Sequence, residues 1–488
     1  MAFFTGHFFD YVLTCAVTLS LTLTLFLITL PDQYHPDQDQ NLEQEQGTSN
    51  HGRTSASCAS SASSTDGRSH AVLSVQIVVL GDLGRSPRMQ YHALSIAKHG
   101  GFVEFIGYRE SEVPENITNN PRIKVVPIAA TPKLLQTSNK LLFLLVAPLK
   151  VFWQVWSLYY VLGYRTKPAK WMLVQNPPSI PSLAIAFFIC FIRNTKLIID
   201  WHNFGYSILA LKLGESHALV RISKIYEIIF SKTASAHFTV TNAMARVLKK
   251  SFNEEALPLH DRPASHFRPL TPKQRTSFLR QLSETSQDAL AIGSGQTRLL
   301  VSSTSWTADE DFTLLLSALV EYSAKAGLNT QQLPKLLVVI TGKGPQKQHY
   351  LSQIAKLNSE GKLSNVTIRT AWLSVSDYAY LLGSADLGVS LHTSSSGVDL
   401  PMKVVDMFGA GLPVVGWSKF EAWPELVTED VNGRGFGSAG ELCELFVELF
   451  GDMGVKLSRL REGAMIESER RWDHEWDPIA GRLLGLVD

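Results

Sequence analysis

Short, nearly uninterrupted apolar runs recur along this chain, each emptying into a small polar or glycine-containing loop and then a helical pattern. The first is Val75-Gln76-Ile77-Val78-Val79-Leu80, followed by Gly81-Asp82-Leu83-Gly84-Arg85-Ser86-Pro87-Arg88, a helical pattern over 89–99 and a second run at 103–106. Runs at 124–128, 171–175, 196–200, from 298, at 335–340, 366–369 and 385–391 repeat the theme, with helices expected over 272–281, from about Glu310, and from Pro401 to Gly411. A strand that is apolar on successive positions is buried on both faces, which is the signature of a parallel sheet covered by helices. The reading is therefore α/β, with two Rossmann-like domains facing a cleft.

Boundaries follow from composition. Residues 1–10 form a flank, 11–30 an uncharged run long enough to cross a membrane as a helix, and 31–71 a Gln-, Ser- and Gly-rich stretch expected to be a disordered tether. The N-terminal Rossmann-like domain, facing acceptor and membrane, is expected over 72–257, a linker over 258–297, and the C-terminal one with its helices over 298–488. No Lys or Arg precedes the apolar run and no small-residue cleavage site follows it, which favours an uncleaved transmembrane anchor over a signal peptide. Residues 141–162, dense in Trp and Tyr around a single Lys150, and the nearly uncharged 180–192 suit either buried crossover helices or helices lying at a lipid interface.

Forty-five basic and 44 acidic side chains balance, which argues against a nucleic-acid partner. Cys15, Cys58, Cys190 and Cys443 form no CxxC pair, so neither a zinc site nor a disulfide framework is expected. Two DxD matches carry little weight for metal. Asp37-Gln38-Asp39 sits in low-complexity chain, and Asp309-Glu310-Asp311 sits where acidic residues cap a helix. No metal ligands are assigned and no cofactor is required, with stimulation by a divalent ion left open.

Chemistry concentrates at residues 391–413, where a strand ends in His392-Thr393-Ser394-Ser395-Ser396-Gly397-Val398-Asp399 and a helix opens at Pro401 with Lys403 and Asp406 in its first turns. Backbone N–H groups at such a helix start can hold a diphosphate, a lysine can neutralise it, and a carboxylate one turn on can accept from ribose hydroxyls. Lys343, on the Gly-flanked turn Thr341-Gly342-Lys343-Gly344-Pro345, is a second diphosphate candidate; Asp399 suits the donor sugar or ribose, and Ser303, Thr304 and Ser396 add hydroxyls. Arg85 and Arg88 replace the dinucleotide glycine fingerprint in the first loop, which suits a phosphate or sugar better than NAD. Taken singly, each of these side chains also fits a solvated loop or a cap.

Taken together, Gly81 to Arg88, Asp200-Trp201-His202-Asn203-Phe204-Gly205-Tyr206, Ser302-Ser303-Thr304-Ser305-Trp306, the Lys343 turn and Gly397-Val398-Asp399-Leu400-Pro401-Met402-Lys403-Val404-Val405-Asp406-Met407-Phe408-Gly409 resemble the chitobiosyldiphosphodolichol β-mannosyltransferase family over roughly residues 72–488. The resemblance implies a GT-B fold, a single-pass endoplasmic reticulum anchor with the body on the cytosolic face, and transfer of mannose from GDP-mannose to dolichol-diphosphate-linked chitobiose with inversion and a β-1,4 bond. Other mannosyltransferases of the same pathway and the lipid of that membrane are its further implied partners. The long 31–71 tether and a Ser/Gly-rich insertion near 283–296 depart from the pattern without touching its motifs.

Inversion is a single displacement and needs a base for the acceptor hydroxyl. Asp82 is favoured by similarity to inverting GT-B families whose base follows the first strand. Against it, Arg85 and Arg88 would hold it ionised, or grip the acceptor diphosphate instead. His202, with Asp200 to orient it, is the runner-up, because an imidazole titrates near neutrality. Two rivals remain at this point: a retaining GT-B enzyme with another lipid acceptor, although Asp399 and Asp406 stand one position too close for a Glu-x7-Glu pair, and a non-catalytic, membrane-tethered GT-B subunit that recruits a partner transferase.

Overall fold

The computed structural model describes residues 2–36, 73–132, 140–307, 310–328, 332–451 and 454–488. One sheet is built from β1 (Ser74–Asp82), β2 (Phe102–Tyr108), β3 (Ile123–Pro127), β4 (Trp171–Asn176), β5 (Lys196–Trp201), β6 (Ala236–Thr239) and β7 (Leu257–Pro258), in the order β3-β2-β1-β4-β5-β6-β7. The second is built from β8 (Thr297–Ser303), β9 (Lys335–Thr341), β10 (Val366–Ala371), β11 (Leu387–Ser390), β12 (Val414–Trp417) and β13 (Gly433–Phe436), in the order β10-β9-β8-β11-β12-β13. The pairings described in register, such as Val75↔Val103 and Leu299↔Leu337, are parallel. Both sheets thus repeat the doubly wound order whose reversal opens a crevice beyond the carboxyl ends of the two central strands. In the second sheet those strands are β8 and β11.

The long apolar runs all became strands. Missed were β6, β7, β12 and β13, none longer than four residues. β13 reads Gly-Arg-Gly-Phe, with no apolar period of its own; its register, Val414↔Gly433 to Trp417↔Phe436, is set by β12. The first sheet closes at β7, beside the expected boundary at 257/258. Compactness divides the chain differently, into residues 1–199 with 229–235 and residues 200–228 with 236–488.

The N-terminal segment is a helix, Ala2–Ile28, whose Thr18 and Thr22 hydroxyls donate back to the carbonyls of Thr14 and Thr18 at 2.7 and 2.8 Å. Among the described residues no helix is long and apolar enough to cross a membrane, so the anchor is present as a helix and unsupported as a span.

Residues 31–36, expected to open the tether, include packed positions. Pro31 and Tyr34 are buried, the Tyr34 amide donates to the Arg193 carbonyl at 2.8 Å, and the Arg193 guanidinium holds the Asp32 carbonyl at 3.0 Å. Arg193 ends the helix Ser182–Arg193, is 2% exposed, and also donates to the Thr166 hydroxyl and carbonyl at 3.1 and 3.0 Å and to the Leu162 carbonyl. Residues 37–71, including Asp37-Gln38-Asp39, lie outside the described residues.

In the second unit, a charged knot fastens the segment after β6 to the C-terminal helices. Glu425 accepts from the Asn242 and Ala243 amides at 2.6 and 2.7 Å and pairs with His260 at 3.1 Å, while Arg262 donates to Glu475 and Glu467. Hydrogen bonds to Glu425 and then Glu475 raise His260 to about 9. Burial works against Glu425's ionisation, but the bonds from His260 and the two amides outweigh it and bring that carboxyl down to about 2.

Two outcomes follow from these contacts. Arg193→Met leaves several carbonyls without a donor and is expected to cost about 2–5 kcal/mol in urea unfolding, with faster proteolysis within residues 29–36. His260 has its folded pKa raised, so its contribution is complete below the unfolded value of roughly 6.5 and is lost as pH rises towards about 9. The stability gap between the protein and its His260→Ala variant is therefore expected to be widest near pH 5–6.5 and to close towards pH 9, read from urea midpoints across that range.

Candidate functional site

The polar residues of the second unit collect where the carboxyl ends of β8 and β11 meet the start of the helix Met402–Gly409. β8 delivers Ser303, whose hydroxyl shares a 2.8 Å hydrogen bond with Tyr378, and then Thr304 and Ser305. The Thr304 hydroxyl and the Ser305 amide both donate to Glu310 at 2.6 Å, and the Trp306 amide donates to the Thr304 hydroxyl at 2.9 Å. Lys403 reaches back from its helix to the Glu310 carboxylate and to the Ser305 hydroxyl at 3.3 Å. The loop after β9 fits closely against this one. Gly342 holds φ +128°, and a Cβ there would collide with the Thr304 carbonyl.

The loop after β11 is equally built. Asp399, 8% exposed, pairs with His392 at 3.1 Å and accepts from Ser394 and, at 3.5 Å, from Ser396. Burial pushes its carboxyl up, but the His392 and Ser394 bonds outweigh this and hold it below the usual carboxylate range. Asn203 donates to the Ser395 hydroxyl at 3.0 Å, and the Thr241 hydroxyl donates to the Val398 carbonyl at 2.6 Å. His202, the residue before Asn203, pairs with the buried Asp200 at 3.0 Å. The Asp200–His202 pair therefore belongs to the same compact unit as the β8 and β11 loops, and its neighbour touches the second of them.

Sequence reasoning placed Ser303, Thr304, Ser396, Asp399, Lys403 and Asp406 on this rim, and the fold brings them to it. Lys343 is on the rim too, with its ammonium 4.0 Å from the centroid of the Trp372 ring. Asp406 differs in charge from the expected ionised carboxylate: burial, and then the Asp261 carboxyl, push it up to about 8, so near neutral pH it is a protonated acid that can donate as well as accept. Glu310 was read as a helix cap. Asp311 performs that task, accepting from the Thr313 amide at 3.0 Å, and Glu310 turns inwards, its backbone bridged to His392. Glu310 and His392 were the misses. A single acid inside an acidic triplet and a lone histidine in a serine-rich loop carry no local signal of which way they point.

In the first unit, Asp82 is committed to its own loop. It accepts from the amides of Gly84, Glu110 and Ser111 at 3.3, 3.2 and 3.1 Å and from the Ser111 hydroxyl, and pairs with Arg85 at 3.5 Å. Burial raises its pKa, but these bonds outweigh it and leave the carboxyl lowered. Arg85 is largely exposed and Arg88 is buried.

Two parallel sheets in doubly wound order, with the polar site beyond β8 and β11, define a GT-B glycosyltransferase fold. Solved structures agree. HepE of Anabaena in complex with UDP and glucose superposes with a TM-score of 0.57 at 17% identity, covering 84% of this chain and 99% of that one. WaaG, a glycosyltransferase of lipopolysaccharide biosynthesis, gives 0.57 at 14% identity, covering 85% and 99%. No family model matches. Among curated proteins, the chitobiosyldiphosphodolichol β-mannosyltransferase of Arthroderma benhamiae is 55% identical, covering 86% of this chain and 92% of that one. The human protein of the same name is 39% identical, covering 84% and 92%. The chain belongs to the chitobiosyldiphosphodolichol β-mannosyltransferase family.

The Asp82 geometry yields a stability test. Asp82→Ala removes the acceptor for three amides and a hydroxyl, and is expected to cost about 1–3 kcal/mol in thermal or urea unfolding.

Proposed function

We propose that this protein transfers mannose from GDP-mannose to chitobiose carried on dolichol diphosphate, with inversion and a β-1,4 bond. The reading is carried by one observation: Lys403, at the start of its helix, reaches across to the loop after β8 at the crevice where doubly wound sheets bind nucleotides. In this reaction an acceptor hydroxyl oxygen forms a bond to the anomeric carbon, the bond to the diphosphate oxygen breaks, GDP departs with the electron pair, and a base takes the hydroxyl proton. Lys403 and Lys343 stabilise the departing diphosphate without a resident metal, Asp406 and the Ser303–Thr304 hydroxyls hold the nucleoside, and Asp399 with Ser396 faces the sugar.

His202 supports the role of base better than Asp82 does. Its partner Asp200 can fix the tautomer and stabilise the imidazolium, and its neighbour Asn203 reaches the β11 loop, whereas Asp82 Oδ1 is taken by amides and Oδ2 by the Ser111 hydroxyl and Arg85. Arg85, largely exposed, is the residue proposed to contact the acceptor diphosphate, while Arg88, expected to share that role, is buried.

The body sits on a membrane in this reading, on the cytosolic face of the endoplasmic reticulum, with the helix Ala2–Ile28 as its anchor. What supports this attachment is that from Tyr11 onward the helix carries no charge. Phe152, Trp156 and Tyr160 stand exposed four residues apart on the helix Lys140–Tyr160, and Leu219, Ile222, Ile225 and Ile229 do so on the helix Ala218–Ser231, spacings that align each set on one face.

With radiolabelled GDP-mannose and a short-chain lipid acceptor, the expected product is a β-mannosidase-sensitive trisaccharide lipid, unaffected by excess UDP-sugar. His202→Ala is expected to lower kcat about 10²- to 10⁴-fold with GDP-mannose binding intact, while Asp82→Asn keeps most turnover. Loss with Asp82→Asn and not with His202→Ala returns the role to Asp82. Asn116-Ile117-Thr118 and Asn365-Val366-Thr367 are glycan acceptor sequences, so a cytosolic body predicts no mobility shift on endoglycosidase treatment, and a shift overturns that orientation.

A further inference from the structure

A carboxylate buried beside a site that receives a diphosphate needs a reason, because at 3% exposure Glu310 adds negative charge where the ligand brings more. Its contacts supply one. One oxygen, Oε2, accepts from the Thr304 hydroxyl and the Ser305 amide, both at 2.6 Å, which fixes the loop after β8. The other, Oε1, takes the Lys403 ammonium, and the Glu310 backbone bridges to His392, at the end of β11. One residue thus ties together, through its side chain, the β8 loop and the helix that presents the lysine and, through its backbone, the end of β11.

We infer that Glu310 is a positioning residue: it holds the Lys403 ammonium at the rim of the β8 loop, oriented for the charge that develops on the departing diphosphate. Lysine is a flexible four-carbon stem with a point charge, and left to itself it would lose rotamer freedom at every turnover. Held by Glu310, it is placed before the donor arrives, and stabilisation of developing charge depends on such preorganisation. Because the positioned ammonium meets charge that grows mainly as the diphosphate departs, loss of that positioning acts on kcat more than on KM. The inference rests on the reading of Lys403 as a diphosphate contact.

A double-mutant cycle in the full-length protein tests it. Glu310→Gln keeps an acceptor for Thr304 and Ser305 but lacks the charge that holds Lys403. It is expected to lower kcat about tenfold or more while KM for GDP-mannose moves less than about threefold. Lys403→Met is expected to lower kcat further and to weaken GDP binding by calorimetry. The variant carrying both substitutions removes the buried charges together, and its kcat is expected to equal that of Lys403→Met alone. A double variant clearly slower than Lys403→Met shows that Glu310 acts by another route and overturns the inference, even where Glu310→Gln alone does not fold. So does Glu310→Gln with kcat within twofold of the parent. If Lys403→Met itself keeps parental kcat and GDP affinity, the donor-site reading of Lys403 has failed instead.

Discussion

Ile77, Val78 and Val79 in β1, and Leu299, Leu300 and Val301 in β8, are each at most 1% exposed, so these central strands have neither face in water. That burial of both faces governs where this protein can keep anything polar. A polar side chain within such a strand costs free energy unless it is hydrogen-bonded, and the chain responds by confining its chemistry to the first residues beyond the strand ends. Ser303, Thr304 and Ser305 follow or end β8, and His392 to Asp399 follow β11. Because both sheets are doubly wound, these loops diverge and leave a crevice between them. The site is a by-product of how the sheets bury themselves.

Charge in the crevice is arranged with the same economy. Glu310 and Asp399 are both nearly buried, and each is met by a cation or imidazole and by hydroxyl or amide donors, which is the condition for keeping a carboxylate out of water. Asp406 takes the other route: with Asp261 nearby and little solvent, it retains its proton. Along one rim, therefore, Asp399 is held ionised while Asp406 is a neutral acid near pH 7. Such a mixture suits a ligand that offers hydroxyl donors at one end and phosphate oxygens at the other.

Away from the crevice, Arg193 shows how a buried cation can be held by carbonyls, with no carboxylate paired to it among the described residues. Its guanidinium is taken up by carbonyls of Asp32, Leu162 and Thr166, so it fastens residues 31–34 to the first unit. The helix Ala2–Ile28 is consequently attached through a short packed strap at its C-terminal end. The helix Lys140–Tyr160 exposes Phe152, Trp156 and Tyr160 and the helix Ala218–Ser231 exposes Leu219, Ile222, Ile225 and Ile229, outside the cores of the two sheets.

Much of this was legible before any coordinates, and the reason is physical. Apolar runs record burial, so β1 to β5 and β8 to β11 could be located; polar and glycine residues at strand ends record where the chain turns out of the core, so Lys403, Asp399 and Thr304 could be placed at the sheet's edge. β13 could not, because Gly-Arg-Gly-Phe carries no apolar period and takes its register from β12, whose own short run Val414–Trp417 follows close on the Gly411 that ends the helical pattern. The same holds for direction. Asp309-Glu310-Asp311 identifies a helix start, but only packing decided that Asp311 caps it and Glu310 turns in to Lys403. The sequence alone thus determined the family, the doubly wound class and which polar residues stand at the ends of β8 and β11, since these depend on local composition and order. Tertiary structure decided the protonation of Asp406, the commitment of Asp82 to its own loop, and the pairing of Glu310 with Lys403 and of Asp399 with His392. Each of these depends on burial and on partners that stand apart in sequence and meet only when the chain is folded.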